Sequence, residues 1–444
     1  MKRVIVAILM LLTLALGARV EAQYNRNYIY WMGQQKMVNN NYHEAIEILN
    51  VLLRHDAKDF DAYFLRGIAK YNLDDLLGAE ADFSEAIEKN PVFTTAFTYR
   101  AITRSRLGNY DDALKDFHEA IDLRPDLPGP YYSRGVTRLL NRQFKEAIED
   151  FDMFVRHEKK VADVYINRGM SYLYLKDTLK AYENFETAIR TNREDPNGYN
   201  RRGMLLMQQK RFKEAEEDLN IAISHDSTYV LSFFNRALVY SDTNRPMLAL
   251  GDFDRVIELD STNSLTYFNR AIVRSQIGDY NRALEDYDRV ALYSPDNVLV
   301  YYNRALLHTR LGNTHEAMDD YSRAIELYPD FAAAYINRSE LKRKTGEMRG
   351  AKHDLNTAQQ KIAEYRSRLW DSTRVSEFAD TSRRFNRLLS FDTKLSARRL
   401  ADGGTGSNIS LLPLFGSSIN VVGLWGASPK RMRMLVIPAL SLWE

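Results

Sequence analysis

The sequence predicts an all-α protein built as a solenoid of about ten helix-turn-helix units. Three observations support this fold class: the sequence pattern recurs every 34 residues, small side chains recur at two positions of each period, and glycine or proline often follows the predicted helices. Periods of roughly 20–50 residues are typical of repeat arrays, in which each unit packs mainly on its neighbours.

Residues 1–22 have the composition of a signal peptide. Lys2 and Arg3 precede an apolar run, and Val20, Glu21 and Ala22 give the small-residue spacing of a cleavage site before Gln23. The run is short for a bilayer span, so we expect no transmembrane anchor after cleavage. The chain has no cysteine, which rules out a lipoprotein anchor and a disulfide framework. These features predict an exported protein that is periplasmic or associated with the outer membrane.

Ten units cover residues 26–365 without an insertion or deletion. Positions within each unit are counted from 1 to 34. The units begin at Arg26, Phe60, Thr94, Pro128, Ala162, Pro196, Val230, Ser264, Val298 and Ala332.

Each of the two predicted helices of a unit has one position with a small residue and one with a large residue. Position 20 is alanine in all ten units, and position 8 is glycine, alanine or serine. Position 4 is aromatic in nine units and position 24 in seven. Large side chains facing small ones let two helices pack closely. Glycine at position 15, as in Gly278, predicts a left-handed cap after the first helix, and proline at position 32, as in Pro295, ends the second.

This pattern resembles the tetratricopeptide repeat (TPR), whose signature has an aromatic residue at 4, a small one at 8, alanine at 20, an aromatic at 24 and proline at 32. The resemblance covers residues 26–365. It implies a right-handed α-α superhelix of stacked helical pairs and a scaffold for protein–protein interaction. Fold alone does not name the ligand.

Arginine occupies position 7 in nine units, where the family usually has leucine. Such a row suggests a polyanion site, but position 23 supplies an alternative. It is aspartate in eight of those nine units, and the first unit lacks both partners, with Met32 and Ile48. We therefore predict that the arginine and the aspartate pair within one unit.

A peptide groove is predicted on repeats seven to nine. In the family, positions 2, 5 and 9 of the first helix face the concave surface, and in these three repeats all of them are apolar. The candidates are Leu231, Phe234, Leu238, Leu265, Phe268, Ile272, Leu299, Tyr302 and Leu306. For positions 5 and 9, packing between helices is an equal alternative. Position 2 favours a groove, because it is leucine only in these units.

Other site types receive little support from the sequence. Position 11 is basic in six units, but a net charge of only +2 argues against nucleic acid, and we expect a solvated face there. No motif for a metal site, a nucleophile or a phosphate-binding loop forms around the histidines or glycines. We expect no enzyme activity and no cofactor.

Residues 366–400 are predicted to form capping helices, because solenoids need a covered end. Residues 401–444 form an apolar tail punctuated by glycine and serine. The region is similar to the tail of exported multi-repeat TPR proteins of Gram-negative bacteria. It could also fold back and occupy the groove.

The leading prediction for function is a non-enzymatic interaction scaffold in the cell envelope, with a protein or peptide segment in the groove of repeats seven to nine. The alternative is a structural component of an envelope complex, which uses its convex face and tail while the tail fills the groove. A carbohydrate-binding role ranks third, because the aromatic residues mostly occupy structural positions.

Overall fold

A computed structural model describes residues 25–368 of the chain. The described part contains twenty α-helices and no strand. In chain order they are α1 Arg26–Val38, α2 Tyr42–His55, α3 Phe60–Asn72, α4 Leu76–Lys89, α5 Thr94–Arg106, α6 Tyr110–Leu123, α7 Pro128–Leu140, α8 Phe144–His157, α9 Ala162–Tyr174, α10 Thr178–Thr191, α11 Pro196–Gln208, α12 Phe212–His225, α13 Val230–Asp242, α14 Pro246–Leu259, α15 Ser264–Gln276, α16 Tyr280–Tyr293, α17 Val298–Leu311, α18 Thr314–Leu327, α19 Ala332–Lys344 and α20 Met348–Arg368.

The helices pack as consecutive pairs, so the predicted solenoid of ten helix-turn-helix repeats is confirmed. The chain divides into two compact units, whose described parts are residues 25–159 and 160–368. Repeats one to four lie in the first unit and repeats five to ten in the second. The predicted signal peptide, the tail and most of the predicted capping region lie outside the described residues.

Each first helix is followed by one residue in the left-handed region. Gly108, Gly278, Gly312 and Gly346 have φ of 81–86°, as their position 15 predicts. In the other six repeats a residue with a side chain adopts the same conformation, with φ of 57–66°. These residues are Asn40, Asp74, Arg142, Lys176, Lys210 and Asn244. The turn between paired helices therefore requires this conformation whichever residue occupies the position.

The contact between paired helices follows the predicted pattern of small and large residues. The position-20 alanines of repeats one to nine are fully buried. At Gly67, a Cβ atom would lie 2.6 Å from Cε1 of Phe83, the position-24 ring of the same repeat. Pro246 begins α14 at its first turn, where a missing N–H costs no hydrogen bond.

Candidate functional site

The arginine at position 7 binds the aspartate at position 23 of its own repeat, as predicted. In each pair Nη2 donates to Oδ1 and Nε to the same carboxylate, with Nη2–Oδ1 distances of 2.5–2.8 Å. The pairs are Arg66–Asp82, Arg100–Asp116, Arg134–Asp150, Arg202–Asp218, Arg236–Asp252, Arg270–Asp286, Arg304–Asp320 and Arg338–Asp354. In repeat five, Arg168 donates to the Asn184 carbonyl oxygen at 2.7 Å.

The third nitrogen of this arginine reaches the preceding repeat, which the sequence interpretation missed. Nη1 donates to the residue at position 25 of the repeat before it at 2.5–3.2 Å. The six junctions that show this bond are Arg66–Asn50, Arg100–Ser84, Arg236–Asn220, Arg270–Asp254, Arg304–Asp288 and Arg338–Ser322. The arginine row thus joins neighbouring repeats as well as the two helices of one repeat.

The basic residues at position 11 also have a structural role, which corrects the expectation of a solvated face. In five repeats the ammonium or guanidinium group binds the same buried aspartate as the position-7 arginine, at 2.8–3.0 Å. These residues are Lys70, Arg104, Arg138, Arg274 and Lys342. Each of these cations is therefore largely neutralised by the aspartate of its own repeat.

Five of the nine predicted groove residues are buried inside the repeats. Their exposed fractions are 0–7%, and the position-5 rings pack on the position-24 ring of their own repeat with centroids 5.8 Å apart. These five are Phe234, Leu238, Phe268, Ile272 and Tyr302. Truncating such a side chain creates a cavity and costs about 3–5 kcal/mol of stability for phenylalanine. Phe268→Ala would therefore destabilise the fold, so a loss of ligand binding in this variant could not be separated from unfolding.

The other four predicted residues are partly exposed, and three of them form a row. Leu231, Leu265 and Leu299 occupy position 2 of three consecutive first helices. Leu265 packs against the core cluster of repeat seven, and Leu299 packs against that of repeat eight. Leu265 and Leu299 thus each contact the repeat before their own. We call Leu231, Leu265 and Leu299 the leucine row. Leu306, at position 9 of repeat nine, lies outside the row and packs against the core of repeat nine.

Polar side chains accompany the leucine row at the ends of the same helices. Asp242, Gln276 and Arg310 occupy position 13 of repeats seven to nine and are exposed. Arg310 donates to the hydroxyl oxygen of Tyr280 at 3.2 Å. The helices that carry the row therefore present polar groups of mixed charge near their far ends, about 16 Å along the axis from the leucines.

A half-buried carboxylate without an ion-pair partner among the described residues lies on repeat five. The structure shows neither a hydrogen bond nor an ion pair for the Asp163 side chain, and burial with the nearby charge of Asp195 raises its pKa to about 6. Burial also raises the pKa of neighbouring Tyr229 to about 12, against the influence of Arg201. Position 2 is aspartate in only two repeats, and Asp61 in the other binds Arg26.

Two further features concern the described residues alone. Residues 25–368 contain no group of three or more acidic or histidine side chains placed to hold a metal ion. None of the twenty helices combines the length and the apolar character that a membrane span requires.

The paired helices and their stacked cores define an α-helical repeat protein. Models of the tetratricopeptide repeat match residues 32–92, 100–159, 166–228 and 268–342, which together make up more than half of the chain. The chain belongs to the tetratricopeptide repeat family. Proteins of this family bind protein or peptide partners, and the fold generally serves as a non-enzymatic scaffold.

Several solved structures are similar to parts of this chain at low sequence identity. A tetratricopeptide repeat protein from Parabacteroides merdae is 17% identical with a TM-score of 0.47, over 56% of this chain and 98% of that one. Pseudomonas aeruginosa PilF is 20% identical with a TM-score of 0.42, over 46% and 92%. YrrB, a TPR protein with an unusual peptide-binding site, is 21% identical with a TM-score of 0.37, over 42% and 96%. No curated protein sequence matches the chain.

Proposed function

We propose that this protein is a non-enzymatic scaffold that binds an extended protein segment along the leucine row of repeats seven to nine. The observation that carries the proposal is the partial exposure of Leu231, Leu265 and Leu299 at the same position in the first helices of three consecutive repeats. An apolar row on helices that end in polar side chains suits a peptide that buries apolar side chains and leaves its charges in water. The buried aromatic rings beneath the row hold the helices that present it.

The spacing of the row indicates the conformation of the bound segment. Packed neighbouring helices lie about 8–10 Å apart. A polyproline II segment rises about 3.1 Å per residue with three residues per turn, so every third side chain falls on one face about 9 Å further on. Each leucine could therefore contact one apolar side chain of a segment with an apolar residue at every third position.

Peptide binding tests this proposal directly. The probe is a fluorescent synthetic peptide with leucine at every third residue of a proline-rich background, and its partner peptide has the same composition in scrambled order. We expect Leu265→Ser to weaken binding of the first peptide about tenfold, which corresponds to ~1.4 kcal/mol. The matched control is Leu292→Ser, which changes a 67% exposed leucine on the second helix of repeat eight.

Equal binding of both peptides, or equal effects of Leu265→Ser and Leu292→Ser, would contradict the leucine row as the site. Circular dichroism checks that both variants keep their helices, and Leu265→Met provides a variant that retains apolar area. Binding that is lost only when the fold is lost would also count against the proposal.

The cell envelope is the proposed place of action, on the basis of the signal-like composition of residues 1–22. Determining the N-terminal residue of the protein isolated from its native cells tests this part. A start at Gln23 supports export, whereas a retained Met1 or Lys2 opposes it.

A further inference from the structure

Repeat one contains a guanidinium site that the chain fills with its own arginine. Arg26, at position 1, donates from Nε and Nη2 to the two carboxylate oxygens of Asp59 at 2.7 and 2.8 Å. Nη2 also donates to a carboxylate oxygen of Asp61 at 2.9 Å. Asp59 is at position 34 of repeat one and Asp61 at position 2 of repeat two, so the site lies at the junction between these two repeats.

The aspartate at position 34 of repeat one also caps the next helix. Oδ1 of Asp59 accepts from the N–H of Ala62, in the first turn of α3, at 3.1 Å. With the arginine and the cap both bound, Asp59 is only 5% exposed. Each carboxylate oxygen can accept more than one hydrogen bond, so a capping aspartate can bind a guanidinium group as well.

Repeat five has the capping aspartate of this site but not the arginine. Position 34 is aspartate only in repeats one and five, and in repeat five it is Asp195. Asp195 caps α11 by accepting from the N–H of Asn197 at 2.9 Å. Position 1, where repeat one has Arg26, is Ala162 in repeat five. Asp195 is partly exposed, and the structure shows no ion pair for it among residues 25–368.

A second carboxylate, that of Asp163, lies near Asp195. Burial and the charge of Asp195 together raise the pKa of Asp163. Arg201 is a cation of the next repeat, but its charge acts on the hydroxyl of Tyr229, whose pKa it lowers against the effect of burial. Arg201 is not among the groups that shift the pKa of Asp163. We call Asp163 and Asp195 the carboxylate pair, and no cation within the described residues neutralises it.

Asp163 lies at the same repeat position as the leucine row. Asp163 and Asn197 occupy position 2 of repeats five and six, and Leu231 occupies this position in repeat seven. The first helices of these three repeats contact one another in order, α9 with α11 and α11 with α13. A segment on the leucine row that continues towards repeat five therefore reaches the carboxylate pair.

We propose, building on the function proposed above, that the segment bound along the leucine row carries an arginine whose guanidinium group binds the carboxylate pair. Arginine suits this site better than lysine because its planar group donates two parallel hydrogen bonds to one carboxylate, as Arg26 does to Asp59. At three residues of the segment per repeat, the arginine lies about six residues from the residue that contacts Leu231, two repeats away. The partner is therefore an extended segment that is apolar along three repeats and basic at one end.

A substitution at position 1 of repeat five tests the carboxylate pair without any peptide. Ala162→Arg introduces an arginine where repeat one has Arg26, and we expect it to raise the melting temperature by about 2–4 °C relative to Ala162→Gln. Added Asp195→Asn should remove this rise, because asparagine keeps the cap but lacks the charge. Added Asp177→Asn, which changes another capping aspartate of the same unit, should not remove it.

Peptide binding tests the proposed occupant. Three fluorescent peptides, blocked at both ends, carry leucine at every third residue of a proline-rich background and a single arginine. The arginine stands six residues before the first leucine, six residues after the last, or beside the middle leucine, so the composition is constant and both chain directions are covered. We expect at least one end placement to bind about tenfold more tightly than the middle placement, because charge-assisted hydrogen bonds form only there. Ala162→Arg, which fills the site, and Asp195→Asn should each abolish the difference, and Asp177→Asn should retain it.

The two measurements separate the carboxylate pair from the leucine row. An unchanged or lower melting temperature in Ala162→Arg would overturn the carboxylate pair as a guanidinium site. A raised melting temperature together with equal affinities of the three peptides would overturn the bound segment as the source of the arginine. If the melting temperature rises but none of the leucine peptides binds, the leucine row fails as the peptide site while the guanidinium site stands.

Discussion

Repeats seven and eight carry nearly the same first-helix motif, but they surround their buried aspartates with different numbers of cations. Asp252 of repeat seven binds Arg236 alone, because position 11 of that repeat is Tyr240. Asp286 of repeat eight binds both Arg270 and Arg274. The two carboxylates are similarly buried, with 7% and 2% exposed.

The comparison separates the contribution of one ion pair from that of the network. A buried charge that loses its only partner costs far more than one that keeps a second partner, because the desolvation cost then remains uncompensated. The second cation in repeat eight should therefore make its position-7 arginine less critical. Conversely, the position-7 arginine should be most critical where it is the only partner.

The largest effect is expected for Arg236→Met in repeat seven. It leaves Asp252 without a cation and should reduce the free energy of unfolding by about 3–5 kcal/mol. Arg270→Met should cost clearly less, since Arg274 remains 2.8 Å from Asp286. Urea denaturation followed by circular dichroism measures both, and Arg255→Met, which removes an exposed pair with Glu258, is the control with about 1 kcal/mol or less. Equal costs in repeats seven and eight would show that the second cation does not compensate.

A smaller effect should appear as recovery in double variants. Removing both members of a buried pair eliminates the uncompensated charge, so Arg236→Met with Asp252→Leu should be more stable than Arg236→Met alone by about 1–3 kcal/mol. The same design in repeat eight, Arg270→Met with Asp286→Leu, should recover less. There the double variant leaves Arg274 without its carboxylate.

Melting temperatures of the four single and double variants provide the measurement. The pairing model fails if the double variants are less stable than the single arginine variants by the full cost of a second, independent substitution. That result would mean that arginine and aspartate contribute separately.

The pairing itself was predictable from the sequence, whereas the bridge between repeats was not. Arginine and aspartate recur at fixed positions and are both missing from repeat one, so their coupling is visible in residue types alone. The acceptor at position 25 is Asn50, Ser84 or Asp254 in different repeats. These side chains share only an oxygen acceptor, so no single residue type marks the position.

The sequence pattern could not predict how deeply each residue of the groove would be buried. A large apolar residue at position 5 suits both a solvent-facing floor and a helix contact, and the distance between neighbouring helices decides between them. In the structure that distance is short enough to leave Phe268 only 1% exposed. Position 2 lies nearer the helix start, and its leucines retain partial exposure. The pattern predicted the helix face correctly as apolar, but the packing depth of each residue depends on tertiary contacts.

Asp163 extends the comparison to a half-buried carboxylate without a cation, and the smallest effect is expected there. Its pKa is raised to about 6, above the ordinary value of 3.8, by burial and by Asp195. The folded state therefore binds the proton more tightly than the unfolded state, which stabilises the protein at low pH. This contribution is lost as the pH rises through about 6. Asp163→Asn should then increase the free energy of unfolding by about 1–2 kcal/mol at pH 7.5, allowing for partial exposure, and by almost nothing at pH 4.

The control for this prediction is Asp177→Asn, an amide substitution at another aspartate of the same unit, which caps the start of α10 by accepting from the N–H of Lys180. Asparagine caps nearly as well as aspartate, so this change should leave stability within a few tenths of a kcal/mol at both pH values. Denaturation of both variants at pH 4 and pH 7.5 compares them. A stabilisation by Asp163→Asn that is the same at both pH values would show that lost charge is not its cause. In that case the number of neighbouring cations would not explain the behaviour of this third carboxylate.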